Sequence, residues 1–234
     1  MAEIELYMGS TKAVVSTNGS YVTNLADETG DVLYPKRTLK NAAGEEKTRG
    51  GCHVCMPNFG PGGDSGLAQH GYGRMSEWQI IEQSENAADF ALSGEGAYAA
   101  MDATLHYEVL DRMFEMTLTL KNLGDTDLAV APGFHPYFFR GKHTPEIDDE
   151  VYENLDELEG TKFIDGPRHE LILGDRSLRL TSEELTTWAV WTDQFGDYVC
   201  VEPTYAGYAF IGDDSQTQTL RAGEHRTYTT TIVW

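Results

Sequence analysis

The stretch Phe114–Lys121, which reads FEMTLTLK, decides the fold class of this chain. Apolar and polar side chains alternate along it, and the apolar ones are Phe114, Met116, Leu118 and Leu120. Because successive side chains of a β-strand point to opposite faces, the pattern predicts a strand with one buried and one solvated face. Strands of this kind are typical of antiparallel sheets that pack one face on a core.

The same alternation recurs along the chain, whereas helical periodicity is rare. It is found in ATLHYEVL, TWAVWTD, YVCVEP and RTYTTTIVW. Asn18-Gly19 stands between two β-rich runs and predicts a type I′ hairpin. NLGDTD and GDDSQ predict turns, and TSEELTT alone suggests a helical turn. Many short strands without interleaved helices predict an all-β antiparallel sandwich, and we expect one domain over residues 1–234.

The charge balance excludes some classes of partner. The chain has 38 acidic and 17 basic side chains, which gives a net charge of −21. A surface this acidic repels nucleic acid and anionic lipid, so we expect neither as a partner, and we expect a monomer. Glu146–Glu159 contains eight carboxylates and no base. We interpret this run as a solvated surface segment rather than a metal site.

The sequence also contains no recognisable targeting signal or cofactor-binding motif. No N-terminal segment resembles a signal peptide, and no window approaches the ~20 apolar residues of a membrane span. Three cysteines cannot all pair, which favours a cytoplasmic protein. Cys52–Cys55, CHVC, lacks a second ligand pair, and Gly94–Ala99, GEGAYA, has no helix behind it. We therefore expect CHVC to be a buried strand and the protein to need no metal or cofactor.

His135 is the first candidate for chemistry, in GFHPYFF, Gly133–Phe139. Pro136 pushes the histidine towards an extended conformation, so His135, Tyr137 and Phe139 would share one face of a strand. A hydrogen-bonded core histidine is the alternative at this point.

Glu202 is the second candidate, in DYVCVEPTYAG. Alternation predicts that Val199 and Val201 face the core, whereas Cys200 and Glu202 share the opposite face. We expect Pro203 to end the strand directly after the glutamate. A carboxylate on so apolar a strand is costly to bury unless something pairs with it. The alternative is a glutamate at the rim, in water.

The two segments together resemble a known family. GFHPYF followed by YVCVEP resembles the galactose mutarotase-like superfamily, the aldose 1-epimerases, and within it the branch that acts on hexose 6-phosphates. TRGGCHVCMPNFGP and QHGYGRMSEW resemble that branch's R-G-G-[IV]-P…P-x-F-G and Q-H-G-F-A-R-x-x-x-W segments. The terminal LRAGEHRTYTTTIVW resembles its closing strand, so the matches run in order from Arg49 to the C-terminus.

The resemblance implies a β-supersandwich whose concave face holds a sugar. It also implies that His135 is the general acid and Glu202 the general base. By motif position, the residues that would contact substrate are Arg49, Gln69 and Arg74. In this branch the arginines would bind phosphate, and a guanidinium can do so in bidentate fashion. For Arg49 and Arg74 alike, a surface salt bridge is the alternative. For His70, contact with the sugar and a structural role both stay open.

The chain departs from the branch at two places, and it keeps the branch's glycine pair after Arg49. The branch's E-T-D-[RK]-x-Y segment has no clean match, and we consider Asp193, expected on a strand near Glu202, as its replacement in sugar binding. Gly73 stands where the branch has alanine. Gly50-Gly51, after Arg49, would let backbone approach a ligand.

The reaction makes its own demand on the residues. To interconvert anomers, a base removes the proton of the C1 hydroxyl while an acid protonates the ring oxygen, and both must work near neutral pH. A carboxylate and an imidazolium meet this demand without a cofactor. Our hypothesis is an aldose 1-epimerase acting on a hexose 6-phosphate in preference to a free hexose. The alternatives are a non-catalytic carbohydrate-binding module and a glycoside hydrolase, which needs two carboxylates.

Overall fold

The computed structural model describes residues 2–41, 43–211 and 216–234. These residues form short strands joined by turns, and the strands in chain order are β1 (Glu3–Met8), β2 (Thr11–Ser16), β3 (Tyr21–Asp27), β4 (Gly30–Asp31), β5 (Arg37–Lys40), β6 (Glu46–Arg49), β7 (Cys52–Cys55), β8 (Gln79–Gln83), β9 (Ala87–Ser93), β10 (Met101–Leu110), β11 (Met113–Asn122), β12 (Leu128–Val130), β13 (Gly133–Phe139), β14 (Glu146–Ile147), β15 (Glu150–Val151), β16 (Lys162–Asp165), β17 (Arg168–Leu173), β18 (Arg176–Thr181), β19 (Thr187–Trp191), β20 (Tyr198–Thr204), β21 (Gln218–Leu220) and β22 (His225–Val233). The helical turns of the described residues are all of the 3-10 type, at Gly63–Ser65, Gly73–Met75, Gly96–Tyr98 and Leu155–Leu158. No helix in these ranges has the length and apolar character needed to span a membrane.

The strands form two nine-stranded antiparallel sheets, so the all-β sandwich prediction is confirmed. The first sheet has the order β1-β2-β3-β7-β13-β20-β19-β16, with β4 beside β3. The second has the order β15-β14-β17-β18-β22-β11-β10-β9-β8. Two short ribbons, β5–β6 and β12–β21, complete the described strands.

The second sheet is centred on the stretch that predicted the fold class. FEMTLTLK lies in β11, between β10 and β22, with Leu118 opposite Leu105 on one side and Tyr228 on the other. These three side chains are at most 1% exposed and belong to the main core between the sheets. The polar side chains of β11 lie on the opposite face, where Thr117 and Thr119 are half-buried. The one-faced strand that alternation predicts is therefore present.

The first sheet is buried on both faces at its centre, and this property creates the site. On β13, Phe134 and Phe138 pack into the main core, while Tyr137 packs on the other face. On β20, the valines pack into the core and Cys200 faces away from it, as predicted. Tyr34 and Leu39, which come from outside the strands of this sheet, thus cover part of the outer face of β13 and β20.

The first hairpin forms, but its turn differs from the prediction. β2 and β3 pair with Ser16 opposite Tyr21, which leaves a four-residue loop. The left-handed φ angles are at Gly19 (79°) and Ser20 (43°) rather than at Asn18. A Cβ at Gly19 would lie 2.3 Å from the carbonyl oxygen of Arg74. A tertiary contact with the segment that carries Arg74 therefore decides the turn.

Two other local predictions are wrong. β20 continues through Pro203, opposite Trp188, to Thr204, so Glu202 lies inside the strand and not at its end. Antiparallel neighbours hydrogen-bond through alternate residues, so a proline is tolerated where its nitrogen need not donate. TSEELTT forms no helical turn, because Thr181 ends β18 and Thr187 begins β19.

Two surface predictions have different outcomes. Glu146–Glu159 is a surface segment as expected, since seven of its eight carboxylates belong to exposed residues. The turn predicted at GDDSQ lies outside the described residues, except for Gln216.

Candidate active site

A cavity of about 270 Å³ lies on the outer face of the first sheet, over the middle of β13 and β20. Its lining combines basic, imidazole and aromatic side chains with a single carboxylate: Arg49, Phe59, Gln69, His70, Arg74, His135, Tyr137, Thr161, Trp191, Glu202 and Tyr208. Six of the seven residues that sequence analysis selects are in this set. Asp193 is the exception.

The register of two neighbouring strands brings His135 and Glu202 together. β13 and β20 pair with Gly133 opposite Thr204 and Tyr137 opposite Cys200, so the candidates lie between these two pairs. His135 Nε2 is 3.3 Å from Glu202 Oε2. Sixty-seven residues of sequence separate side chains that are within proton-transfer reach.

Both candidate side chains are buried yet incompletely satisfied. His135 is 5% exposed and Glu202 2%, which excludes a glutamate at the rim in water. Glu202 Oε2 and His135 Nδ1 have no hydrogen-bond partner among the described residues. Buried polar atoms are nearly always hydrogen-bonded, and unpaired ones are costly. A free carboxylate oxygen at a cavity wall is therefore positioned to receive a ligand's hydroxyl.

Burial moves both pKa values towards the neutral forms. It raises the pKa of the Glu202 carboxyl well above its usual range. It lowers the pKa of the His135 imidazole well below 6.5, and the neighbouring His53, His70 and Arg74 lower it further. The buried pair therefore favours a carboxylic acid beside a neutral imidazole.

Aromatic rings hold the His135 imidazole in one orientation. Tyr137 stacks on it with ring centroids 4.6 Å apart and planes 13° apart. His53 packs on it at 4.7 Å, and Trp191 meets it edge-on at 5.9 Å. Burial raises the pKa of the Tyr137 hydroxyl well above 10, so this wall of the site stays uncharged.

His53 is a residue that sequence analysis missed. CHVC is the fully buried strand β7, as predicted, and alternation places His53 and Cys55 on the cavity side of the sheet. The register pairs His53 with His135 across β7 and β13. Two signals could have found it: the period of two along CHVC, and its place where the R-G-G-[IV]-P segment has proline.

Arg49 lines the cavity and also forms an ion pair. Its Nε and Nη2 donate to Asp193 Oδ2 at 3.1 and 2.9 Å. The other oxygen, Oδ1, accepts from the Tyr198 hydroxyl and from the Phe195 N–H. Burial acts to raise the pKa of Asp193, but these donors and the Arg49 charge lower it. Asp193 lies beyond the end of β19 rather than on a strand, and it orients Arg49 instead of lining the cavity.

The expected role of Gly50-Gly51 needs correction. Both have left-handed φ angles, 102° and 71°. A Cβ would lie 2.4 Å from the Pro35 carbonyl oxygen at Gly50, and 2.1 Å from that of Val22 at Gly51. The glycines admit the chain's own backbone and not that of a ligand.

Arg74 is the uncompensated cation of the cavity. Its Nη2 donates to the Gln69 carbonyl oxygen at 2.9 Å, and its buried Nε has no partner. Among the residues that the structure describes, no carboxylate forms an ion pair with it. Gly73, before it, stands where the family segment has alanine because Met56 fills the space: a Cβ would lie 2.6 Å from Met56 Cγ.

Aromatic side chains from segments distant in the sequence form the rest of the wall. Tyr208 stacks on Phe59 with planes 16° apart, and its hydroxyl lies 3.1 Å from Thr161 Oγ1. Trp191 ends β19 and lies 5.8 Å from the Arg49 guanidinium carbon. Sequence analysis missed these residues, since nothing in the segment around each aromatic side chain marks it as part of a distant site.

A buried thiol adjoins the pair. The possible donor atoms of Cys200, His135 and Glu202 lie within 4.8 Å of one another. Groups of these types ligate zinc in other proteins. The three cysteines are all buried and form no disulfide.

Comparisons with known proteins show the family and the fold. The family model described as aldose 1-epimerase matches residues 3–171, well over half of the 234-residue chain. A Synechocystis protein has a TM-score of 0.80 at 22% identity, over 99% of this chain and 95% of its own. A galactose mutarotase-like protein from Lactobacillus casei has a TM-score of 0.81 at 14% identity, over 99% of both chains.

A galactose mutarotase related enzyme from Lactobacillus acidophilus has a TM-score of 0.80 at 13% identity, over 99% of this chain and 97% of its own. At such identities the structural matches show that the fold is shared along the whole chain, including Glu202, which lies beyond the family-model match. A search of curated proteins finds no match.

Proposed function

This chain belongs to the aldose 1-epimerase family, and we propose that it interconverts the α and β anomers of a hexose 6-phosphate, with His135 as general acid and Glu202 as general base. The observation that carries the proposal is the buried pair, 3.3 Å apart at the wall of a sugar-sized cavity. One oxygen of the pair has no partner and is available to a substrate hydroxyl.

The two groups complete the reaction without net proton exchange. Glu202 as carboxylate takes the proton of the C1 hydroxyl while His135 as imidazolium protonates the ring oxygen, and the C1–O5 bond breaks. The aldehyde turns about C1–C2. Closure on the other face returns both protons, because each group now acts in the reverse direction. Tyr137 and Trp191 would pack against the sugar and keep water away.

The number of protons on the His135–Glu202 pair makes this mechanism consistent with the shifted pKa values of the two groups. A carboxylic acid beside a neutral imidazole contains the same number of protons as a carboxylate beside an imidazolium. One proton moved between Glu202 and His135 converts the resting pair to the reactive pair, and the two groups titrate as a unit. Burial disfavours both adding and removing a proton, since either change leaves a net charge.

The first prediction is a broad pH plateau. Independent groups of ordinary pKa would lose the imidazolium above 6.5. For the coupled pair, the acidic limb of the pH–rate profile lies below pH 6.5, because the pKa of His135 is lowered. Its basic limb lies well above pH 4.5, because the pKa of Glu202 is raised. We expect kcat/KM to stay constant as pH rises through 6.5, in a series from about pH 5 to 9 corrected for uncatalysed mutarotation. A tenfold fall between about pH 6 and 8 would contradict the shared proton.

Arg74 is our proposed ligand for the phosphate. Arg74 is half-buried, and leaving its buried Nε without a hydrogen-bond partner is costly unless a ligand completes it. Arg49 is already paired with Asp193, so its charge is compensated by the protein. We propose that Asp193 acts by orienting Arg49 towards the sugar rather than by touching the sugar. Gln69 and His70 would bind hydroxyl groups.

The second prediction separates phosphorylated from free hexoses. Arg74→Gln removes a charge-assisted contact, so we expect KM for glucose 6-phosphate to rise roughly 10- to 100-fold. The small activity on free glucose should stay within about twofold, because no phosphate contact is lost. Arg179→Gln on the exposed face of β18 is the matched control, since it changes the net charge equally. Equal KM changes for glucose 6-phosphate and free glucose would show that Arg74 does not bind the phosphate group.

The decisive assay follows a freshly supplied α-anomer with a coupling enzyme that consumes only the other anomer. Acceleration above the spontaneous rate, on glucose 6-phosphate more than on free hexoses, supports the proposal. Sugar binding without acceleration would favour the carbohydrate-binding module. A glycoside hydrolase is disfavoured, because Glu202 is the single carboxylate among the described residues of the cavity wall.

A further inference from the structure

His70 is held by an unusual backbone conformation and a reciprocal pair of hydrogen bonds. Its φ angle is +62°, in the left-handed region, which is strained for a non-glycine residue. The His70 N–H donates to the Gly60 carbonyl oxygen at 2.8 Å. The Gly60 N–H donates back to His70 Nδ1 at 3.2 Å. Because a backbone N–H can only donate, Nδ1 must be the unprotonated nitrogen of this ring.

A thiol makes the second contact to the same atom. Cys55 Sγ lies 3.3 Å from His70 Nδ1 and is fully buried. Burial raises the pKa of the Cys55 thiol well above 9, so the thiol keeps its proton and can donate. His53 Nδ1 lies 3.7 Å from the same sulfur, but 3.3 Å from the Val54 carbonyl oxygen, which requires a proton on that nitrogen. The thiol proton is therefore available to His70.

The groups around His70 keep the ring neutral. Cys55, His53 and His135 face it from β7 and β13, Arg74 faces it from the same loop, and Glu202 lies behind His135. Burial and the Arg74 charge lower the pKa of His70 to about 3. The amide of Gln69 lies 3.3 Å from Nε2, and half a turn of that amide offers its oxygen to an N–H there.

From this geometry we infer that Cys55 is a positioning residue: with the Gly60 N–H, it fixes His70 as the tautomer that carries its proton on Nε2 and donates into the cavity. His70 then binds a sugar oxygen but takes no proton, and His135 is the histidine that performs proton transfer. The inference rests on the proposed function for its effect on substrate, although the tautomer itself does not.

The first test reads the tautomer directly. In protein labelled with 15N-histidine, we expect His70 Nδ1 to resonate as an unprotonated nitrogen and Nε2 as a protonated one, unchanged between about pH 5 and 8. His70→Gln assigns the signals by their loss. Cys55→Ser retains a donor and should keep this signature, whereas Cys55→Ala leaves the Gly60 N–H as the remaining donor to Nδ1, so the Nδ1 signal should shift while staying that of an unprotonated nitrogen. A protonated Nδ1 in the unmodified protein would overturn the inference.

The second test measures how the loss of the Cys55 thiol changes KM for the substrate. One lost hydrogen bond corresponds to roughly a threefold to tenfold rise in KM for Cys55→Ala, with kcat changed less than about twofold. Cys52→Ala is the matched control, since that buried thiol faces the inter-sheet core beside Met116. Equal KM values for the two alanine variants would overturn the positioning role. The expected tautomer signature in a protein without turnover would count against the proposed function and leave the tautomer assignment standing.

Discussion

Replacing Glu202 by glutamine is expected to reduce kcat for anomer interconversion by about a thousandfold, because a positioned general base contributes 10²- to 10⁴-fold. Glutamine has nearly the same shape but cannot take the C1 hydroxyl proton. His135→Asn should cost about as much, since each removes one half of a coupled transfer. The double variant should lose little more than either single one, because groups that act as a unit are not additive.

The structure also predicts that Glu202→Gln leaves the protein folded. Its Oε2 has no hydrogen-bond partner, so the substitution breaks no bond to that atom. It replaces a buried carboxyl, whose ionisation burial opposes, by a neutral group. Circular dichroism and thermal unfolding at pH 7 should therefore match those of the control, Glu183→Gln, at an exposed position between β18 and β19. A folded Glu202→Gln variant with more than about a tenth of wild-type kcat would exclude Glu202 as the base.

Leu118→Ala is expected to lower the free energy of unfolding by about 3 kcal/mol, within the 2 to 5 kcal/mol typical of buried leucines. Leu118 is fully buried between Leu105 and Tyr228 at the centre of the second sheet, where the surrounding strands cannot collapse into the space. Urea titration should show a lower midpoint with an unchanged slope, since the surface exposed on unfolding is the same.

The neighbouring residue provides the control for this substitution. Thr119 lies on the opposite face of β11, where its hydroxyl is 3.0 Å from that of Thr227. Thr119→Ala loses one cross-strand contact and some strand propensity, so its cost should stay below about 1 kcal/mol. Equal costs for the two variants would contradict the assignment of the core face from FEMTLTLK. The active-site variants should leave this stability unchanged, because the cavity lies on the far side of the first sheet.

The candidate site shows where sequence reasoning succeeds and where it stops. His135 and Glu202 each stand on a strand whose alternation predicts the correct face, and ordered motifs relate them to one family. Neither segment by itself shows that both side chains are buried, or that His135 Nε2 and Glu202 Oε2 lie 3.3 Å apart. The single-domain organisation and the monomeric state stay predictions.

Other parts of the site depend on contacts that no local pattern encodes. From the sequence, Asp193 is a possible sugar ligand, but in the structure it accepts hydrogen bonds from Arg49 and Tyr198. From the sequence, Gly50-Gly51 is expected to be a ligand-binding turn, but the space over it is filled by backbone from β3 and from the segment after β4. Trp191 and Tyr208 reach the cavity from segments without a motif. In each case the deciding neighbour is distant in sequence.

The sequence by itself determined the fold class, the buried face of each alternating strand and the two side chains suited to acid and base chemistry. These properties are local, because side-chain direction along a strand follows from backbone geometry alone. Only the tertiary structure decided which strands pair and in what register. That register sets Glu202 beside His135 and places His53 against it. Register depends on the burial of both faces at once, and no single segment contains that information.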